Sequence, residues 1–138
     1  MRDTYNNLKV QPVINPKSEN GTTALEGAVI DRAGYESVLF VIQSGVLDND
    51  ATFTTLLEES DNSDMSGGNA VSDDDLLGTE ALASFAGTDD NKAKKLGYIG
   101  AKRYLKLTVT PATNDSASFL SACAILGHPQ LAKVGQFD

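Results

Sequence analysis

The chain holds one histidine and one cysteine, His128 and Cys123, and these limit the nucleophilic chemistry open to it. Hydrolysis through a thiol or hydroxyl needs a base in hydrogen-bond reach and a third group to orient that base. His128 sits in Gly127-His-Pro129, where a turn histidine with ordinary hydrogen bonds is the expectation. Cys123 lies inside the apolar run Phe119-Leu-Ser-Ala-Cys-Ala-Ile-Leu126 and is expected to face the core as a small apolar residue. A single cysteine forms no intramolecular disulfide. Carboxylates are plentiful but cluster in loops. Pairing Glu58 or Glu59 with a loop Asp is the one glycosidase-like arrangement left open, against solvated surface charge as the default. No coherent set of residues proposes a reaction, so the expectation is a protein that is not an enzyme and needs no cofactor.

Metal chemistry fares little better. Asp61-Asn-Ser-Asp64-Met-Ser-Gly67 resembles a calcium loop only superficially, because the alternating acid spacing and the distal Glu are missing. Asp73-Asp-Asp75 would attract Ca²⁺ weakly at most, and zinc would need several Cys or His. Gly97-Tyr-Ile-Gly100-Ala-Lys102 has the wrong glycine spacing for a phosphate loop. Gly100 is instead expected to supply a positive φ in a hairpin turn. A different chemistry suits Tyr98, Arg103, Tyr104 and Lys106, which gather aromatic and basic groups on an otherwise acidic chain. Tyr and Arg are favoured anchors of protein interfaces, so these residues are candidate contacts, with satisfied tyrosines and exposed cations as the plainer alternative.

The elements that must position these groups read as strands. From Arg103 to Val109, Arg103, Leu105, Leu107 and Val109 alternate with Tyr104, Lys106 and Thr108, a period of two with one dry and one wet side. Ser37–Ser44 is almost continuously apolar and predicts a strand covered on both faces. Further strands are expected at 24–30, 52–60, 78–84, 94–99 and 116–126, with turns at 31–34, 47–50, 88–91, 100–102 and 111–115. Ser72 caps a single helical turn over the following acids. The pattern predicts an all-β fold, an antiparallel β-sandwich or jelly roll of about seven or eight strands. Its core is built from Val38, Phe40, Ile42, Phe53, Leu57, Leu105, Leu107, Val109, Phe119 and Ile125.

Residues 1–23 are polar, carry Pro12 and Pro16, and read as an extended N-terminal arm with one short edge strand around Val10–Ile14. Residues 24–127 form the sandwich and 128–138 a C-terminal tail.

The 138 residues suffice for one domain with a real core. A net charge of −8 argues against nucleic acid and anionic membranes as partners. No stretch approaches the roughly 20 apolar residues of a membrane span, and residues 1–10 lack a signal-peptide core, so assembly in a cytoplasm is expected. The glycosylation triplets at Asn20 and Asn114 are then chance matches.

Five segments carry a resemblance: Met1-Arg-Asp with Asn6-Asn7, Leu57-Glu-Glu-Ser60-Asp61, Leu77-Gly-Thr79, Gly97-Tyr-Ile-Gly-Ala-Lys-Arg-Tyr104, and Ser121-Ala with Ile125-Leu-Gly-His-Pro129. Their order and spacing resemble a family of small structural proteins of tailed-bacteriophage virions. The resemblance implies a capsid decoration (cement) protein on the virion surface, bound to the major capsid protein as a homo-oligomer, dimer or trimer. It supplies no catalytic residue. A head–tail connector or tail component is the alternative, and a carbohydrate-binding sandwich a minor one. Arg2, Tyr5, Lys9 and Pro12 of the arm, Lys17, and Lys133 of the tail join Tyr98, Arg103, Tyr104 and Lys106 as expected capsid or subunit contacts. On that reading the arm orders only against a neighbour, and removing residues 1–16 leaves a folded protein that no longer binds shells.

Overall fold

The computed structural model describes residues 2–130. Eleven strands run in the order β1 (Lys9–Glu19), β2 (Leu25–Glu26), β3 (Ile30–Asp31), β4 (Tyr35–Ser44), β5 (Thr52–Ser60), β6 (Asn69–Ala70), β7 (Leu76–Leu77), β8 (Phe85–Ala86), β9 (Ala93–Tyr98), β10 (Tyr104–Ala112) and β11 (Ser118–Pro129). Sheet I has the order β1-β11-β4-β9-β7. Sheet II runs β2-β10-β5-β6, with β3 also on β10 and β8 on β5. Every pairing is antiparallel, and the two sheets form the expected sandwich.

The alternation in β10 does what its period requires. Leu105, Leu107 and Val109 are fully buried, opposite a β5 that buries Phe53 and Leu57, and β4 contributes Val38, Phe40 and Ile42 from sheet I. Each such side chain contributes roughly 1.5–3 kcal/mol of transfer free energy, enough for this core to specify the fold unaided.

The last strand corrects three core assignments, those of Phe119, Cys123 and Ile125. Phe119 is 45% exposed, and Ile125 is half-buried on the outer side of sheet I together with Cys123. The inward residues are Leu120, Ala122, Ala124 and Leu126, opposite Ser44, Ile42, Phe40 and Val38. Phe119–Leu126 is apolar in both parities, so period two alone does not choose a face. Packing chooses it, because the bulky Phe40 and Ile42 of β4 take small alanines as neighbours in the same layer.

The amino-terminal segment also differs from expectation. Residues 9–19 are an integral edge strand, paired with β11 from Lys9 opposite Leu126 to Glu19 opposite Ser118. The ladder shifts between Pro12 and Ile14, so that both Val13 (5% exposed) and Ile14 (6%) turn into the core. The two prolines are tolerated because the strand lies at the sheet's edge.

The strand expected over 24–30 is instead broken into β2 and β3 around Gly27. Gly27 N donates to Leu107 O at 2.8 Å in sheet II, and Ala28 N donates to Val13 O at 2.9 Å in sheet I. The segment thus laces the two sheets together. A Cβ at Gly27 would lie 2.5 Å from Leu107 O, so the crossing needs glycine.

Other limits shift for local reasons. The strand expected over 78–84 is a turn, and pairing resumes at β8. Pro111 and Ala112 still belong to β10, so the turn begins at Thr113. Ser72 does cap the 3₁₀ turn Asp73–Asp75, accepting from Asp74 N at 3.4 Å.

The loop before β9 is tied by Asp89. Its carboxylate accepts from Lys92 Nζ at 2.7 Å, Ala86 N at 2.9 Å and Lys94 Nζ at 3.1 Å. The bond from Lys92, then those from Ala86 and Lys94, hold its carboxyl well below the usual carboxylate range. A depressed folded-state pKa adds stability above the unfolded value of about 3.9, and that stability is lost as pH falls towards the folded one. Asp89→Asn is therefore expected to lower the urea midpoint at neutral pH and to flatten its fall below about pH 4. An unchanged acid profile would refute this role for Asp89.

Candidate binding face

The side chains that could do chemistry do not converge. His128 is exposed, at φ 50°, and its Nδ1 shares a 2.9 Å hydrogen bond with Ser37 Oγ. Among the described residues no carboxylate backs Nε2, and no group of three or more His, Cys, Asp or Glu is placed to hold a metal. Glu59 turns inward to Tyr98 rather than towards a second acid.

The expected contact residues separate. Tyr98 is 1% exposed, so its side chain offers no surface. Its hydroxyl donates to Glu59 Oε2 at 2.5 Å and accepts from Lys102 N at 3.0 Å. Burial first, and the Glu59 carboxylate second, push the phenol pKa far above its ordinary value. The Arg32 guanidinium stacks 5.5 Å from the Tyr98 ring centroid and donates to Gly100 O at 3.1 Å, Tyr35 O and Lys102 O. Tyr98 and Arg32 therefore brace the 99–103 loop. Gly100 does not have a positive φ; glycine is needed there because a Cβ would lie 2.5 Å from the Tyr98 hydroxyl.

Arg103 grips Asp31 through two 2.9 Å bonds and lies 5.0 Å from the Tyr104 ring, while Lys106 reaches Glu26 at 3.1 Å. These three sit on the sheet II side. Pro12 sits on the outer face of sheet I, and Lys9 opens β1. Lys17 lies 3.8 Å from Glu19. Arg2 and Tyr5 are exposed near the amino terminus, and Lys133 lies outside the described residues.

The two outer faces differ sharply. That of sheet II carries Thr52, Thr54, Thr108 and Thr110 on neighbouring strands, then Lys106 opposite Glu58, with Leu56 and the half-buried Tyr104 as its large members. That of sheet I carries an apolar band, flanked by Ser121 and Gln43 on one side and Ser37 on the other. Cross-strand register places Val10, Ile125, Leu39, Gly97 and Leu77 in one row spanning all five strands. The next row is Pro12, Cys123, Val41 and Lys95. Facing partners in an antiparallel ladder share a side, so these rows form one continuous surface about 20 Å wide. Val10 and Leu77 remain 54% and 58% exposed.

At the β9–β7 rim the surface deepens into a groove of about 550 Å³. Leu39, Leu77, Leu82 and Ile99 are among its lining residues, with Gly97, Lys94 and Lys95. Sequence reasoning missed this face. Its signal is that β4 and β11 are apolar in both parities, from which the sequence predicts a strand covered on both faces for β4 alone.

No protein-family model matches the chain, and no curated protein matches it. Among solved structures it is similar to the PBSX exported protein XepA, at 14% identity and a TM-score of 0.58. That match covers 94% of this chain and 40% of XepA, so the chain spans less than half of that protein's length. The likeness shows a shared fold. Looser likenesses are to the K3 adhesin domain of Lys-gingipain from Porphyromonas gingivalis w83 (11% identity, TM-score 0.43, 81% of this chain and 73% of that one) and to a xylan-binding CBM 22 domain (11%, 0.41, 95% and 92%). Neither adds to the argument.

Proposed function

We propose that this chain is a non-enzymatic virion structural protein, a decoration or cement protein that binds the major capsid protein of an assembled shell. The single observation that carries the reading is the apolar band on the outer face of sheet I, which runs across five strands while the outer face of sheet II is mainly polar. A sandwich buries one face of each sheet and wets the other, so a second dry face marks a surface meant for a partner. A face with a lone Lys95 among apolar neighbours suits a protein better than a polyanion, in keeping with the net charge of −8. The virion motifs in the sequence supply the context. The XepA likeness gives the fold that such a body would use.

A ligand that binds only the assembled state stabilises that state by mass action. Shells assembled from the major capsid protein of the same virus are expected to bind this chain saturably, in copy numbers in the hundreds, and to melt at higher temperature when coated. Co-sedimentation and shell melting curves check this. Absence of binding, or a single ring of copies at one vertex, would overturn the decoration role, the latter in favour of a connector.

A further inference from the structure

Building on the capsid-binding reading, we propose that the groove over Gly97 is the anchor pocket for an extended apolar segment of the shell protein that brings a carboxylate to Lys95. The groove is built for a side chain. Leu77 lies over the buried Gly97, where a Cβ would come within 2.9 Å of Leu77 Cβ, so glycine lets Leu77 seat against the floor of the groove. Leu77, Leu82 and Ile99 stand around it at 58%, 70% and 54% exposure. At about 550 Å³ the space exceeds what one large apolar side chain fills, so neighbouring residues of the same segment enter with it.

Charge selects the partner. Lys92, Lys94, Lys102, Arg103 and Lys106 each hold a carboxylate of this chain within 3.1 Å. Lys95 lies among them in sequence and is exposed, yet is in no ion pair among the described residues. In a chain with 19 acidic residues, a cation left unpaired beside an apolar groove is complementary to a carboxylate arriving from outside. A second copy of this chain fits less well, because two bodies of net charge −8 repel as they approach.

The test measures shell affinity for the wild-type chain, Leu77→Glu, Lys95→Glu and Thr54→Glu, the last on the outer face of sheet II. Circular dichroism and thermal melting check each fold. Leu82→Glu, in an exposed turn, replaces Leu77→Glu should that variant misfold. Leu77→Glu and Lys95→Glu are each expected to weaken binding by at least about tenfold, with Thr54→Glu within about twofold of wild type. Wild-type chain that does not bind shells overturns the capsid reading and the groove with it. Wild-type binding matched by both groove variants overturns the groove alone. Loss of wild-type self-association in Leu77→Glu, with shell affinity intact, assigns the face to a second copy and also overturns the proposal.

Discussion

A chain lacking residues 1–16 is expected not to fold. The deletion removes Lys9–Pro16 of β1 and with it Val13 and Ile14, both buried in the core. It also uncovers one edge of β11, whose partners from Ala122 to Leu126 lie opposite the deleted residues. Emptying a core position of one large aliphatic side chain costs about 2–5 kcal/mol, so two such losses approach the roughly 5–15 kcal/mol by which domains are stable. The result is expected as loss of the cooperative urea transition and of far-UV strand signal. A truncated chain that unfolds cooperatively at the wild-type midpoint would refute it. The same reasoning reverses the arm expectation, in which this truncation spares the fold. Loss of shell binding by that truncation would report unfolding, so surface substitutions on sheet I are the informative probes.

Asn114→Ala is expected to destabilise the chain by about 2–4 kcal/mol, since each buried polar group left unpaired costs about 1–3 kcal/mol. Asn114 is 1% exposed at the turn between β10 and β11. Its Nδ2 donates to Gly21 O at 3.0 Å and Glu19 O at 3.3 Å, and its Oδ1 accepts from Ser118 Oγ at 2.7 Å. One side chain thus ties the end of β1, the following loop and the start of β11. Alanine would leave two carbonyls and a hydroxyl without these partners in a nearly dry site. Urea denaturation at neutral pH measures the change, and a loss under about 1 kcal/mol would refute the role. The same burial keeps the Asn114 triplet from serving as a glycosylation acceptor in the folded chain.

The capsid proposal and the groove rest on a contrast between two faces that no composition statistic reveals. Leu39, Leu77, Leu82, Ile99 and Ile125 are ordinary core-forming residue types. They become a candidate binding face only because Leu39 and Ile125 lie on the outer side of sheet I and Leu77, Leu82 and Ile99 ring its β9–β7 rim.

What the sequence determined by itself was whatever depends on neighbours along the chain. The alternation of Leu105, Leu107 and Val109, the cap at Ser72 and the turn at Arg32–Tyr35, expected one residue earlier, are local, and an all-strand sandwich follows from repeating such units. The tertiary structure decided what depends on distant segments. It chose the parity of Phe119–Leu126 through Phe40 and Ile42, placed Val13 and Ile14 in the core, and buried Tyr98 against Glu59. A strand apolar on both sides satisfies its local preferences in either register, and only the space left by the opposing strands removes that degeneracy.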